Sequence, residues 1–407
     1  MPYCNPNGLD LWLIGEAFAH IHSVGPQTGK YEMRIEKIES HLIGSAYVVR
    51  ITTDIGISGV GQTACWGYPR AVQTVVEDFE TYLIGQDPLR IEHHWQYLYR
   101  MLPFRGNTVT GAISAIDIAL WDLKGKHYGA PVWDLLGGRC RNKVRLHLLI
   151  GGDTPESLAE NVTEARAQGF TAVKFDPLTF GYADWTQEKL VNHSKRMCEA
   201  AREAGGEDVD LIVEVHRKLT PMTSIALAEA LVPCNLLFLE DPIQIDSIEG
   251  QASIAQRTSV PIGNGERLNT IWEFRELLQH GGPQYVRPDV GLAGGLTHCK
   301  KIAAIAESYH CAVITHNFLG PLITMASIHL DVSIPNVVTQ EYTLEDETDK
   351  HAVYKVEAKR DGGYFPTPEG VGLGVELDDD FLEGQAFKPL REGQPPMRED
   401  GSMGYAV

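Results

Sequence analysis

Three glutamates stand at the ends of apolar runs at equal spacing: Glu214 in IVEVH, Glu240 in FLEDP and Glu266 in GNGER, each 26 residues from the next. One strand followed by one helix has about that length, so each acid should occupy the same end of its own strand. Neighbouring strand ends lie about 5 Å apart, and the three carboxylates therefore converge. Ionised and unpaired they repel, so a cation should sit among them, and a set of oxygen ligands favours a hard ion such as Mg2+ over zinc. For any one of these acids a salt bridge or a helix cap is the plainer reading; three in register argue for a shared metal.

Later runs supply bases. Asp289 ends YVRPD, His316 ends AVITH and Glu341 ends VVTQE, the last two 25 residues apart. An Asp beside a His on the next strand can orient the imidazole and raise its pKa. In LIVEVHRKLTP, His216 follows Glu214 by two residues, and strand side chains alternate with period two, so both point into one cavity. Lys174 in AVKFDP faces the same mouth, as a partner for a substrate oxygen or as a counter-ion for Glu214. His147 is alone on its strand, with Arg145 where a zinc site would want a second His. GLAGGL, after Asp289, lacks the spacing of a dinucleotide fingerprint and reads as a tight turn into a helix.

The elements that must position these residues are legible from about Val144. Eight short apolar runs (VRLHLLIG, TAVKFDP, DLIVEVH, LLFLEDP, PIGNGE, YVRPDV, AVITHN, VVTQEY) alternate with helical stretches such as TPESLAENVTEARAQG, where Thr154 caps, Pro155 enters the first turn and Gly169 ends the helix. Strands alternating with helices imply parallel pairing, and eight units in about 200 residues suit a closed barrel. The expected fold is α/β, a (β/α)8-type barrel, a modified TIM barrel. Before it, RIEKIESHLI and YVVRITTDIGISGVGQ read as a meander followed by helices, an α+β unit ending near Gly137 to Asn142. The expected division is 1–140 for an N-terminal extension and α+β capping domain, 141–350 for the barrel with the metal site, and 351–407 for a C-terminal segment returning to the cap. Residues 1 to about 33 and the tail after Phe387 read as extensions or lids.

Composition narrows the partners. The chain has 407 residues, 43% of them hydrophobic and 22% charged, which suits a globular protein of one large and one smaller domain. A net charge of -19 argues against nucleic acid or an anionic membrane as partner. An anionic small substrate remains compatible, because a bound metal reverses the local sign. The seven cysteines are scattered and form no C-x-x-C pair, as expected of reduced thiols in a cytoplasmic protein. No secretory signature opens the sequence and no apolar run is long enough to span a bilayer. A homo-oligomer is the expected assembly.

As a set, Lys174, Glu214 with His216, Glu240, Glu266, Asp289 in RPDVGLAGGLT, His316 in THNFLGPL and Glu341 in QEY resemble the mandelate racemase branch of the enolase superfamily, from about Met33 to Gly374. Within it the chain is most similar to the acid-sugar dehydratases, the galactonate dehydratases above all, which carry a His two residues after the first metal ligand. The resemblance implies a capping domain closing over a barrel with Mg2+ at its mouth, and proton removal next to a carboxylate through an enediolate. It implies Glu214, Glu240 and Glu266 as metal ligands, Lys174 against the substrate carboxylate, His316 with Asp289 as the base at C2, and His216 as the acid at the C3 hydroxyl. Glu341 would hydrogen-bond the substrate carboxylate, and the product would be a 2-keto-3-deoxy sugar acid. Two departures stand out: Glu214 replaces the Asp common in these dehydratases, and Asp176 replaces the second Lys of the racemases' K-x-K. WGYPR (Trp66 to Arg70) and LPFRGN (Leu102 to Asn107) are candidate lid loops, with Arg105 set to meet a distal hydroxyl or second carboxylate. The alternatives are an epimerase acting at C2, a dehydratase of an aldarate or of mannonate, and a non-catalytic binding protein on a decayed barrel, against which the intact ladder of acids speaks.

Overall fold

A computed structural model of the chain describes residues 33–178, 181–348, 352–382, 385–390 and 396–404. The extension or lid expected over the first residues therefore lies outside the described residues. Residues from Arg34 onward form one compact unit.

The N-terminal part is a three-stranded antiparallel sheet, β1 (Ile35–Ile43), β2 (Ala46–Thr53) and β3 (Ser58–Gln62), covered by helices α1 (Pro69–Leu83), α2 (Ile91–Arg100) and α3 (Asn107–Tyr128), with a short α4 (Val132–Leu135) leading out. In α1 the buried apolar residues Val72, Val76, Phe79 and Leu83 follow the helical period and form one stripe. Strand β3 lies directly on α3. A Cβ at Gly61 would stand 2.0 Å from the Ala115 carbonyl oxygen, so only glycine permits this approach.

The barrel follows. Strands β4 (Lys143–Leu149), β5 (Ala172–Phe175), β6 (Asp210–Glu214), β7 (Phe238–Glu240), β8 (Ile262–Asn264), β9 (Tyr285–Val286), β10 (Ala312–Thr315) and β11 (Val337–Tyr342) pair in parallel, each with the next, and β11 pairs with β4 to close the ring. These are the eight apolar runs of the sequence. Between them run α5 (Pro155–Ala167), α6 (Gln187–Gly205), α7 (Pro221–Leu231), α8 (Ile248–Ala255), α9 (Ile271–Gln279), α10 (Gly295–Ser308) and α11 (Pro321–Ser333). Five consecutive helices, α5 to α9, begin on a Ser or Thr whose side chain accepts a backbone N–H of the first turn: Thr154, Thr186, Thr220, Ser247 and Thr270. In LIVEVHRKLTP, Thr220 is such a cap and Pro221 the first helical residue, a few residues past the end of β6. GLAGGL is a turn into α10, with Gly294 and Gly295 both at positive φ.

Period two along the strands sets the layers of the barrel interior. Ile212, Phe238 and Ile314 form a buried apolar cluster apart from the main core, and two residues beyond each, on the same face, stand Glu214, Glu240 and His316. An apolar floor thus lies directly beneath the ionisable layer. After β11, strand β12 (Tyr354–Val356) pairs with β14 (Val375–Leu377), and β13 (Tyr364–Pro366) runs antiparallel to the start of β4; a short α12 (Asp379–Leu382) follows. This segment touches the N-terminal sheet: Arg50 pairs with Asp379 at 2.6 Å, and the Lys388 amide donates to the Gly44 carbonyl at 2.7 Å. The six described cysteines are free thiols.

Candidate active site

All of Lys174, Glu214, Glu240, Glu266, Asp289, His316 and Glu341 are buried around the C-terminal ends of the barrel strands. Glu214 and Glu240 are direct partners across β6 and β7. Lys174 reaches up from β5 into the middle, with Nζ 2.8 Å from Glu214 Oε2, 3.3 Å from Glu240 Oε1 and 2.5 Å from Glu341 Oε1. Burial alone would lower its pKa, yet these three carboxylates raise it, so the ammonium stays charged.

Lys174 thus serves as a counter-ion for Glu214, and the chain supplies further cations to the ladder. Besides Lys174, the buried Arg287 pairs through Nε with Glu240 and through Nη2 with Glu341 at 2.6 Å. The buried Arg217 places Nη1 2.6 Å from Asp241 Oδ2 and 2.8 Å from Glu266 Oε1. Chain cations therefore already relieve much of the repulsion. The acids brought closest also differ from the expected three. Ligand oxygens of Glu214, Asp241 and Glu266 lie within 4.8 Å of one another, a buried acidic triad able to hold a metal ion. Glu240 instead directs Oε1 to Lys174 and Arg287, because its place on β7 puts it between β5 and β9 side chains.

Room for an oxygen-seeking ion remains. Glu214 Oε1 and Glu240 Oε2 are buried and accept no hydrogen bond, which is costly for a carboxylate unless a cation faces it. By contrast each oxygen of Asp241 already has one partner, Oδ2 in Arg217 and Oδ1 in Asn264 at 3.1 Å. These orphaned oxygens and the all-carboxylate donor set fit a hard divalent cation.

Two histidines face this cluster. His316 Nδ1 lies 2.6 Å from Asp289 Oδ2 and its Nε2 3.4 Å from Glu266 Oε2. His216 Nδ1 lies 2.6 Å from Asp176 Oδ2 and its Nε2 3.6 Å from Glu214 Oε2. Burial works to lower the His216 pKa, but Glu214 and Asp176 raise it. Glu341 is engaged by the chain's own cations: Lys174 and Arg287 take its oxygens, the Asn317 amide approaches at 3.4 Å, and Lys174 and Arg287 hold its pKa low against burial. His147, opposite Glu341 on β4, is buried with neither ring nitrogen bonded, and burial keeps it neutral.

The first lid loop reaches the mouth. Trp66 meets Phe318 edge-on at 6.1 Å, Phe318 meets His316 at 5.6 Å, and the Arg267 guanidinium lies 5.6 Å from the Trp66 ring. The second loop docks by its end, where Asn269 donates to Asn107 at 3.1 Å. Arg105 is not brought to the acids: its guanidinium is exposed, donates to the carbonyls of Leu102 and Phe104, and lies over Tyr99, since short-range acceptors in its own loop capture it. A separate cavity of about 230 Å3, bounded by Tyr342, Glu345, Tyr354 and Phe365, contains none of the clustered acids.

Asp241, Arg217 and Arg287 were not singled out in the sequence. Arg287 had a signal, since it stands two residues before Asp289 and so shares its face. Asp241 adjoins Glu240. Arg217 had none, because its inward course depends on positive φ at His216 and Arg217, 45° and 62°.

Comparison with known proteins agrees with this architecture. Residues 37–137 match the mandelate racemase / muconate lactonizing enzyme N-terminal domain, and residues 157–381 the enolase C-terminal domain-like family. The D-galactonate dehydratase of Xanthomonas oryzae pv. oryzae (strain PXO99A) is 34% identical over 395 residues, covering 91% of this chain and 99% of the relative. Among solved structures, an enolase from Agrobacterium radiobacter bound to Na and L-malate superposes with a TM-score of 0.87 at 26% identity, over 92% of this chain and 100% of that one. A mandelate racemase/muconate lactonizing enzyme from Jannaschia sp. CCS1 gives 0.82 at 30% identity, over 88% and 99%. With both halves matched and the barrel, cap and strand-end acids in place, the chain belongs to the mandelate racemase branch of the enolase superfamily.

Proposed function

We propose that this protein is a sugar-acid dehydratase, a Mg2+-dependent hydro-lyase that converts an aldonate such as galactonate to a 2-keto-3-deoxy sugar acid. The observation that carries the reading is the pair of imidazoles, each with Nδ1 on a carboxylate and Nε2 turned to the acid cluster within 3.6 Å. Dehydration needs a base and an acid in one cavity, and this pair supplies both. The similarity to D-galactonate dehydratases supports an aldonate as substrate.

Glu214, Glu240 and Glu266, with Asp241 beside them, would hold Mg2+, which supplies positive charge where the substrate carboxylate gains electron density. Lys174 and Arg287 add fixed charge beneath it, already oriented by Glu341. An ionised Asp289 only accepts, so His316 donates through Nδ1 and presents a bare Nε2 to the C2 proton. The C2–H electrons pass into an enediolate. The C3–O bond then breaks, and the departing oxygen takes a proton from His216 Nε2 and leaves as water. The resulting enol gains a proton at C3 and loses one from its C2 hydroxyl to become the 2-keto acid. Asp176 does not replace the missing second Lys as a base, because His216, Lys218 and the Leu178 amide occupy its oxygens.

The test is an assay of aldonic and aldaric acids with Mg2+ for 2-keto acid. Galactonate or a close stereoisomer should release it, a chelator should stop it and Mg2+ should restore it. A C2 epimer without 2-keto acid, from every substrate turned over, makes the protein an epimerase instead.

A further inference from the structure

We propose that Asp176 is the positioning residue of the general acid, giving the site a second Asp–His dyad that holds His216 as Asp289 holds His316. The proposal rests on His216 acting as that acid. The two dyads share one geometry: a 2.6 Å contact from Nδ1 to a carboxylate oxygen, with Nε2 left facing the acid cluster. In both, the acceptor oxygen obliges Nδ1 to carry hydrogen, so the atom free to exchange a proton with substrate is Nε2.

Asp176 is built to stay in place. Its Oδ1 accepts the Leu178 amide at 2.8 Å, and its Oδ2 meets Lys218 Nζ at 2.5 Å as well as His216. Lys218 is fixed in turn by the Leu178 carbonyl at 2.6 Å and lies 5.0 Å from the Tyr182 ring. Side-chain exposure of Asp176 is 17%, so this is a partly buried network and not a surface pair.

His216 needs such a hold. It leaves β6 with φ at 45°, and Arg217 follows at 62°. Non-glycine residues in this region are strained and persist only where the surroundings determine them. Its side chain is also 28% exposed, against 4% for His316. Packing fixes His316; the Asp176 contact must do more of that work for His216.

The experiment compares Asp176→Asn, Asp289→Asn and His216→Asn with wild type, using galactonate and Mg2+ in 2H2O, with both 2-keto acid release and deuterium at C2 of recovered substrate followed. If Asp176 positions the acid, Asp176→Asn should cut kcat by about 10^2- to 10^4-fold, the contribution of a placed general acid. KM should change little, and deuterium should still enter at C2. Asp289→Asn should lose product and exchange together. Asp176→Ala serves as a second variant, and Asp176→Glu should recover part of the rate. Wild-type turnover in Asp176→Asn and Asp176→Ala, beside an inactive His216→Asn, overturns the proposal alone. Equal loss of product and exchange in the Asp176 variants also overturns it, since it shows a structural role. Full turnover by His216→Asn overturns the acid assignment and the proposal together.

Discussion

At the scale of single residues, the site is a lattice of buried charges in which each partner is shared. Lys174 touches Glu214, Glu240 and Glu341, so Lys174→Met leaves three buried carboxylates short of a cation. Breaking one buried pair costs about 3–5 kcal/mol. A loss of at least that order in urea denaturation, together with loss of activity, is the expected result. Glu240→Gln probes a different property. It keeps volume and a hydrogen-bonding oxygen beside Lys174 and Arg287 but removes the charge behind the orphaned Oε2. Calorimetry should show Mg2+ binding weakened by at least about tenfold, which is 1.4 kcal/mol, and turnover should fall with it. Unchanged binding would take Glu240 out of the ligand set and leave Asp241 as the better choice.

At the scale of elements, the cap is joined to the barrel where α3 meets α10. Asp117 of α3 accepts the Thr297 amide at 3.1 Å in the first turn of α10, and it is buried with Oδ2 unbonded. Burial pushes its pKa from 3.8 up to about 7. The folded state thus holds a proton that the unfolded chain releases near pH 4. Stability from this group is complete below pH 4 and is lost as pH rises toward about 7. Asp117→Asn, which cannot ionise, should flatten that part of the stability profile, as denaturation midpoints between pH 4 and 8 would show. Parallel profiles for variant and wild type would place the proton elsewhere.

At the scale of the whole molecule, the cap contributes to the mouth through Trp66, which lies between Arg267 and Phe318 above His316. Trp66→Ala removes a cation–π contact and an aromatic pair, together worth about 1–3 kcal/mol. It should lower kcat/KM by about 5- to 100-fold, with the barrel still folded by circular dichroism. Arg105→Ala serves as the contrast: its guanidinium serves its own loop, so kcat/KM should stay within about twofold of wild type. A larger effect from Arg105 than from Trp66 would mean that the second loop, not the first, closes the site.

The sequence alone determined the barrel, its eight strands, and the residues Glu214, Glu240, Glu266, Asp289 and His316 at their ends. The physical reason is periodicity: alternation along a strand and a repeat of about 26 residues per strand and helix place side chains without knowledge of their contacts. Thr154 and the GLAGGL turn were equally legible, because caps and turns are local. What only the tertiary structure decided was which charges meet. Arg217 and Arg287 reach the acids, Glu341 turns to Lys174, and Arg105 turns away, each according to which opposite charge or carbonyl lies within a few ångströms once the ring closes. Those distances are set between strands far apart in the chain, and no spacing along the chain encodes them.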